Sequence, residues 1–215
     1  MYIPPHFLET DLRRLDWLAA HDAFGTLVST VDGAPFATHL PVLYRREDRK
    51  VTLLGHWARP NPQWHSIEGQ RVLFIFHGPH AYISPRWYAE PARNVPTWDY
   101  ATAHLYGRIQ VIHEPEGLEE IVTALADQYE RNAPAPWRMA QADGRARLRG
   151  IVGFRLAAES IEIKFKLNQN HVKENVTGAI AALAAQGRED ASEIARLMQG
   201  ALEARARPDE REGKG

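Results

Sequence analysis

The 215-residue chain contains no cysteine. That excludes disulfides, thiolate metal sites and a cysteine nucleophile. No apolar run approaches the length of a membrane span, and the opening MYIPPHF lacks the basic and apolar regions of a signal peptide. The expectation is a soluble, cytoplasmic protein. An excess of one charge is missing too: 26 Lys and Arg face 27 Asp and Glu, for a net charge of -1. The chain as a whole therefore exerts no electrostatic pull on nucleic acid. There is no GxSxG elbow for a serine hydrolase. The ten histidines include no HxxxH or HExxH pair, so no metal site is expected. Neither a helix-turn-helix nor an internal repeat is visible.

What is present is a composition 44% apolar and 25% charged. It suffices for one sizeable core, or for one large domain with an appended helical piece. Thr10 followed by DLRRLDWLAAH reads as an N-capped helix with Leu12, Leu15, Leu18 and Ala19 on its buried face. The period then changes from helix to strand. Asp32-Gly33, flanked by β-branched residues, predicts a tight hairpin. Further strands are expected at 50–54, 71–77, 81–84, 101–113 and 150–165, with Gly78-Pro79 turning one into the next. Helical pattern returns at 116–131 behind Pro115, at 173–186 before Gly187, and at 191–204. This order predicts an α+β fold with an antiparallel sheet or barrel. The expected partition is a domain at 1–168, helices packed on it at 169–205, and a charged, disordered tail at 206–215. The stretch 134–149, with arginines at 138, 145, 147 and 149, reads as a solvated loop or a basic patch.

Four stretches carry chemistry. In VTLLGHWARPNPQWHSI a strand is expected to end at Gly55, before His56, Trp57, Arg59, Asn61 and Trp64. Free N–H groups beside Arg59 and Asn61 suit a phosphate; an elaborate capped turn anchored by Trp57 and Trp64 is the other reading. In FHGPHAYISPRWY the aromatics form either core or the wall of a flat-ligand pocket, with Trp87 and Tyr88 near a rim. In NVPTWDYATAHLYG, Trp98, Tyr100, Thr102, His104 and Tyr106 share one strand face, which suits a dimer interface or a ligand wall. In KFKLNQNH, Lys164 and Lys166 share a face, and Asn168 or Asn170 could cap the next helix or meet a polar ligand.

MYIPPHF, GHWARPNPQW, GPHAYISPRWY, VPTWDYATAHLYG and KFKLNQNH, in this order over about residues 1–200, resemble the PaiB family of FMN-binding negative transcriptional regulators. That family usually has Ser at the position of Asn168 and commonly Arg at that of His171. The resemblance implies a split, Greek-key-like antiparallel β-barrel with flanking helices and a C-terminal helical segment. It implies a homodimer with FMN at the subunit interface. On this reading Arg59 pairs with the flavin phosphate, and Asn61, His56 and the N–H groups of the turn assist. Thr38, His39 and Leu40 line the isoalloxazine. Trp98, Gln169 and Asn170 close the pocket. Two functions follow: a flavin-binding regulator, or an FMN-dependent oxidoreductase with His39, His56 or His104 as proton relay. DNA is a possible partner that the composition does not support.

Overall fold

The computed structural model describes residues 1–139 and 146–206. The strands are β1 (Leu8–Glu9), β2 (Phe24–Val31), β3 (Ala34–Pro41), β4 (Leu43–Glu47), β5 (Lys50–Ala58), β6 (Arg71–Ile83), β7 (Thr97–Ile112) and β8 (Ile151–Lys166). The helices are α1 (Leu12–His21), α2 (Pro115–Glu130), α3 (Lys173–Ala184) and α4 (Glu189–Ala206). The antiparallel sheet follows the open path β3-β2-β6-β7-β8-β5-β4, with β1 paired to β8. Two compact units result, and neither is continuous in sequence: one is 1–10, 78–102 and 163 onward, the other 11–77 and 103–162.

In the second unit the hairpin forms as the sequence predicts. Asp32 (φ 50°) and Gly33 (φ 78°) both occupy the left-handed region that a two-residue turn requires. Leu27, Leu53, Phe74, Leu105, Phe154 and Leu156 are fully buried on the sheet, each worth roughly 1.5–3 kcal/mol of apolar burial. Helix α2 lays Ile121 and Leu125 against Leu43 and Leu54. Asp11, not Thr10, caps α1: its carboxylate accepts from the Arg13 N–H.

Two expected turns are strand instead. Strand β5 runs through Gly55 to Ala58. Gly55 is there because Phe154 packs over it, with ring atoms 2.7 Å from where a Cβ would sit. Likewise β6 continues through Gly78 and Pro79 without a break; a proline ends a strand only where its missing N–H is needed by a neighbour.

In the first unit, β1 aligns Leu8 with Lys164 and Glu9 with Ile163. Helix α3 packs on α4 and on the 3₁₀ turn Pro85–Trp87. Val172, with no side-chain cap, precedes α3, so neither Asn168 nor Asn170 caps it. Gly187 (φ 67°) follows the end of α3, as expected. The tail beyond Ala206 and residues 140–145 lie outside the described residues. Gly178 of α3 yields a first prediction. Helix propensity alone says that Gly178→Ala gains about 1 kcal/mol. The backbone oxygen of Trp87, however, occupies the space a Cβ would need, and backbone cannot give way cheaply. We expect a net loss of about 2 kcal/mol, read as a lowered denaturation midpoint; a gain would show that the α3 contact is loose.

Candidate functional site

The residues after β5 form a turn that is satisfied largely from within. The Arg59 N–H donates to the Gly150 carbonyl and the Asn61 N–H to that of Ala58. Asn61 Oδ1 caps the 3₁₀ helix Pro62–Ser66 by accepting from the Gln63 N–H. Its Nδ2 donates to Thr38 Oγ1 at 3.0 Å. Trp57 is buried, and Trp64 Nε1 donates to the Arg59 carbonyl at 2.8 Å. These bonds occupy the amide of Asn61 and the N–H groups of Arg59, Asn61 and Gln63.

Arg59 is engaged on one side only. Its Nε donates to the Arg149 carbonyl at 2.5 Å and its Nη2 to the Ile151 carbonyl at 2.8 Å. Nη1 has no partner among the described residues. The guanidinium lines a cleft of 460 Å³ with His113, Glu116, Leu118, Leu148 and Arg149. The cleft lies at the start of α2, whose N-cap, Glu114, makes no side-chain cap bond to the helix; its carboxylate accepts from the His113 N–H instead. Two arginines and a helix N-terminus favour an anion there, while Glu116 opposes it.

The hairpin residues split between two faces. Thr38 and Leu40 pair with Leu27 and Gly25, and His39 pairs with Thr26. Since side chains alternate along a strand, Thr38 and Leu40 face opposite to His39. The buried Thr26 hydroxyl bridges two imidazoles, His39 Nδ1 at 2.9 Å and His77 Nε2 at 2.8 Å. A hydroxyl carries a single proton, so at least one ring must donate to it. Sequence reading missed this bridge, because residues 26, 39 and 77 become neighbours only through the β3-β2-β6 order. His56 and His104 each have a buried Nδ1 with no partner among the described residues. Burial holds both imidazoles below the usual histidine range. Among the described residues no group of His, Asp or Glu could hold a metal ion.

Trp98, Gln169 and Asn170 belong to the first unit. Trp98 is half exposed, edge-on to Tyr82 and near His80, each with ring centroids 6.0 Å away. Gln169 spends its amide on its own turn, accepting from Leu167 N–H and donating to the Phe165 carbonyl. Asn170 is exposed. Lys164 is buried below the rings of Tyr2, Phe7 and Tyr100 and donates to the Tyr2 carbonyl, which explains the aromatic opening MYIPPHF. Lys166 donates to Thr97 Oγ1, the Trp98 carbonyl and Asp99 Oδ1. Asp99 is fully buried, and its Oδ2 has no partner among the described residues. Burial pushes its carboxyl up to about 6, against the opposing pull of Lys166 and the Asn168 N–H.

An open antiparallel sheet of this order, joined by helices, is an α+β split barrel. The flavocytochrome Anf3 from Azotobacter vinelandii superposes with a TM-score of 0.60 at 14% identity, over 82% of this chain and 78% of that one. The FAD and heme binding protein from Mycobacterium smegmatis gives 0.58 at 18% identity, over 84% and 80%. At such identities the likeness concerns the fold alone. Residues 1–160 match the family described as "Putative FMN-binding domain", and the chain belongs to that family. It is 37% identical over 206 residues to "Protease synthase and sporulation protein PAI 2" of Bacillus subtilis, covering 94% of this chain and 98% of that protein. The protein is thus of the PaiB type, and its cofactor is FMN.

The residues present fit that group in part. Arg59 offers a free guanidinium edge in an open cleft, suited to a phosphate. His39 and the half-exposed Phe24 lie roughly parallel, with centroids 6.5 Å apart, a surface on which a flat ring could rest. Asn61 and Gln169 have only their remaining lone pair and amide hydrogen to give.

Proposed function

We propose that this chain is a cytoplasmic, homodimeric, FMN-binding negative transcriptional regulator, in which the flavin is a structural or sensing ligand. The observation that carries the reading is the end-to-end likeness to PAI 2, at 37% identity over 94% of the chain. Arg59 takes the phosphate. His39 meets the ring, and Thr38, Leu40, His56 and Asn61 position the strands and turn beside it. Exposed Phe24, Tyr82 and Trp98 are apolar surface that a second copy would cover. No described helix is long and apolar enough to cross a membrane.

One observation favours a second reading, an FMN-dependent oxidoreductase. The Thr26 hydroxyl joins His39 to His77 and could pass a proton between the two rings. FMN supplies reversible electron transfer; this chain would hold or move the accompanying proton.

Retention of genomic DNA fragments on FMN-loaded protein, at several salt concentrations, separates the two. The regulator reading expects selective retention that weakens as salt rises. No retention at any salt, with bleaching of the flavin band by NAD(P)H, would establish the oxidoreductase.

A further inference from the structure

The first unit holds a cleft that shares only Asn170 with the residues the resemblance assigns to flavin. Its volume is 370 Å³, within the size range of small-molecule sites. The N-terminal turn, the segment before β7 and the turn after β8 enclose it. Four basic side chains line it, His6, Arg93, Lys166 and His171, and no carboxylate does.

The donors are available. His6, Asn170 and His171 make no side-chain hydrogen bond among the described residues. Among the described residues Arg93 pairs only with Glu90, and both are highly exposed, so that pair adds little and yields easily to a better anion. The walls are firm. Asn168 is buried in the left-handed region (φ 60°), where its Nδ2 donates to the Tyr88 hydroxyl at 2.9 Å. The His171 N–H closes the turn onto the Asn168 carbonyl at 3.0 Å, and its ring rests on Tyr88 at 4.8 Å. Asparagine tolerates the left-handed region that such a turn needs, and its buried side-chain bond holds it there. The turn thus presents Asn170 and His171 from a fixed backbone, which lowers the ordering cost of binding.

Burial and the Lys166 ammonium both hold the His171 imidazole below the usual histidine range, so the ring enters as a neutral donor. Lys166 spends its hydrogens on Thr97, Trp98 and Asp99 and is paired with the Asp99 carboxylate, which leaves Arg93 as the main positive charge on the cleft.

We infer that this cleft binds a small molecule through a carboxylate or phosphate group, held by His6, Arg93, Asn170 and His171. The test is titration of FMN-loaded and flavin-free full-length protein with inorganic phosphate and with succinate at constant ionic strength. The readout is the His171 ring signal in NMR, assigned with His171→Gln. Saturable shifts and a rise in the His171 midpoint are expected, because an anion favours the charged ring. Arg93→Gln should weaken binding about tenfold while leaving FMN affinity unchanged. The tighter of the two probes identifies the anionic group. Shifts that stay linear in concentration, or that Arg93→Gln does not weaken, would overturn the inference. Binding seen without flavin but lost on FMN loading would also overturn it, by making the cleft the flavin's own. Since both forms are titrated, failure of FMN to bind leaves the test intact.

Discussion

Replacing Gln63 by Leu is expected to cost the fold about 4 kcal/mol, because three or four buried polar groups would lose their partner at about 1–3 kcal/mol each before relaxation. Gln63 is fully buried. Its Oε1 accepts from Trp57 Nε1 at 2.9 Å. Its Nε2 donates to the Leu27 and Phe36 carbonyls, both at 3.2 Å, and lies 3.0 Å from Ser29 Oγ. One amide thus ties β2, β3 and β5 to the turn. Gln63→Glu should be as damaging at neutral pH, since a carboxylate can accept from Trp57 but cannot donate. Its buried carboxyl would titrate high, so stability should recover on acidification. Chemical denaturation of both variants checks this. A loss below about 1 kcal/mol, the range of ordinary surface substitutions, would mean that Gln63 does not organise the turn.

The second large effect concerns pH and Asp99. A carboxyl raised from 3.8 to about 6 binds its proton in the folded chain where the unfolded chain has already lost it. Its contribution to stability is therefore full below about pH 4 and is lost as pH rises toward 6. The shift corresponds to roughly 3 kcal/mol, at about 1.4 kcal/mol per pKa unit. Wild type and Asp99→Asn should differ by a constant below pH 4. Between pH 4 and 7 the variant should gain on wild type by about that 3 kcal/mol. Most other titrating groups are shared and cancel in the difference. If Lys166, 3.2 Å away, outweighs burial, the trend reverses; denaturation midpoints across this pH range decide it.

Much of the fold is legible in the sequence because it rests on local chemistry. Asp32-Gly33 can hardly be anything but a hairpin, and Pro115 at the first position of α2 and Gly187 after α3 mark helix ends by their own backbone preferences. The strand errors arise because Gly55, Gly78 and Pro79 carry turn chemistry yet lie within strands; at Gly55 the cause is packing, since Phe154 needs the space over it. The site was less legible. Arg59 stands out by residue type, and its free edge is visible only when the Arg149 and Ile151 carbonyls are placed. Gln63 escaped notice because glutamine is ordinarily exposed. The imidazole pair on Thr26 and the Asp99–Lys166 pair are contacts across strands, with no signature along the chain.

The central claim is that Arg59 holds the phosphate of FMN, and paired titrations of flavin-free protein with FMN and riboflavin test it most directly. Removing a guanidinium from a phosphate should cost about 1.5–3 kcal/mol, or roughly ten- to hundredfold in affinity. Arg59→Ala also removes two bonds to backbone carbonyls, so the ligand lacking phosphate serves as the control for structural damage. Arg59→Lys keeps the charge without the fork and should recover part of the loss. The account predicts that FMN binding weakens about ten- to hundredfold in Arg59→Ala, while riboflavin binding changes little. Equal weakening of both ligands, or no change in either, would contradict it.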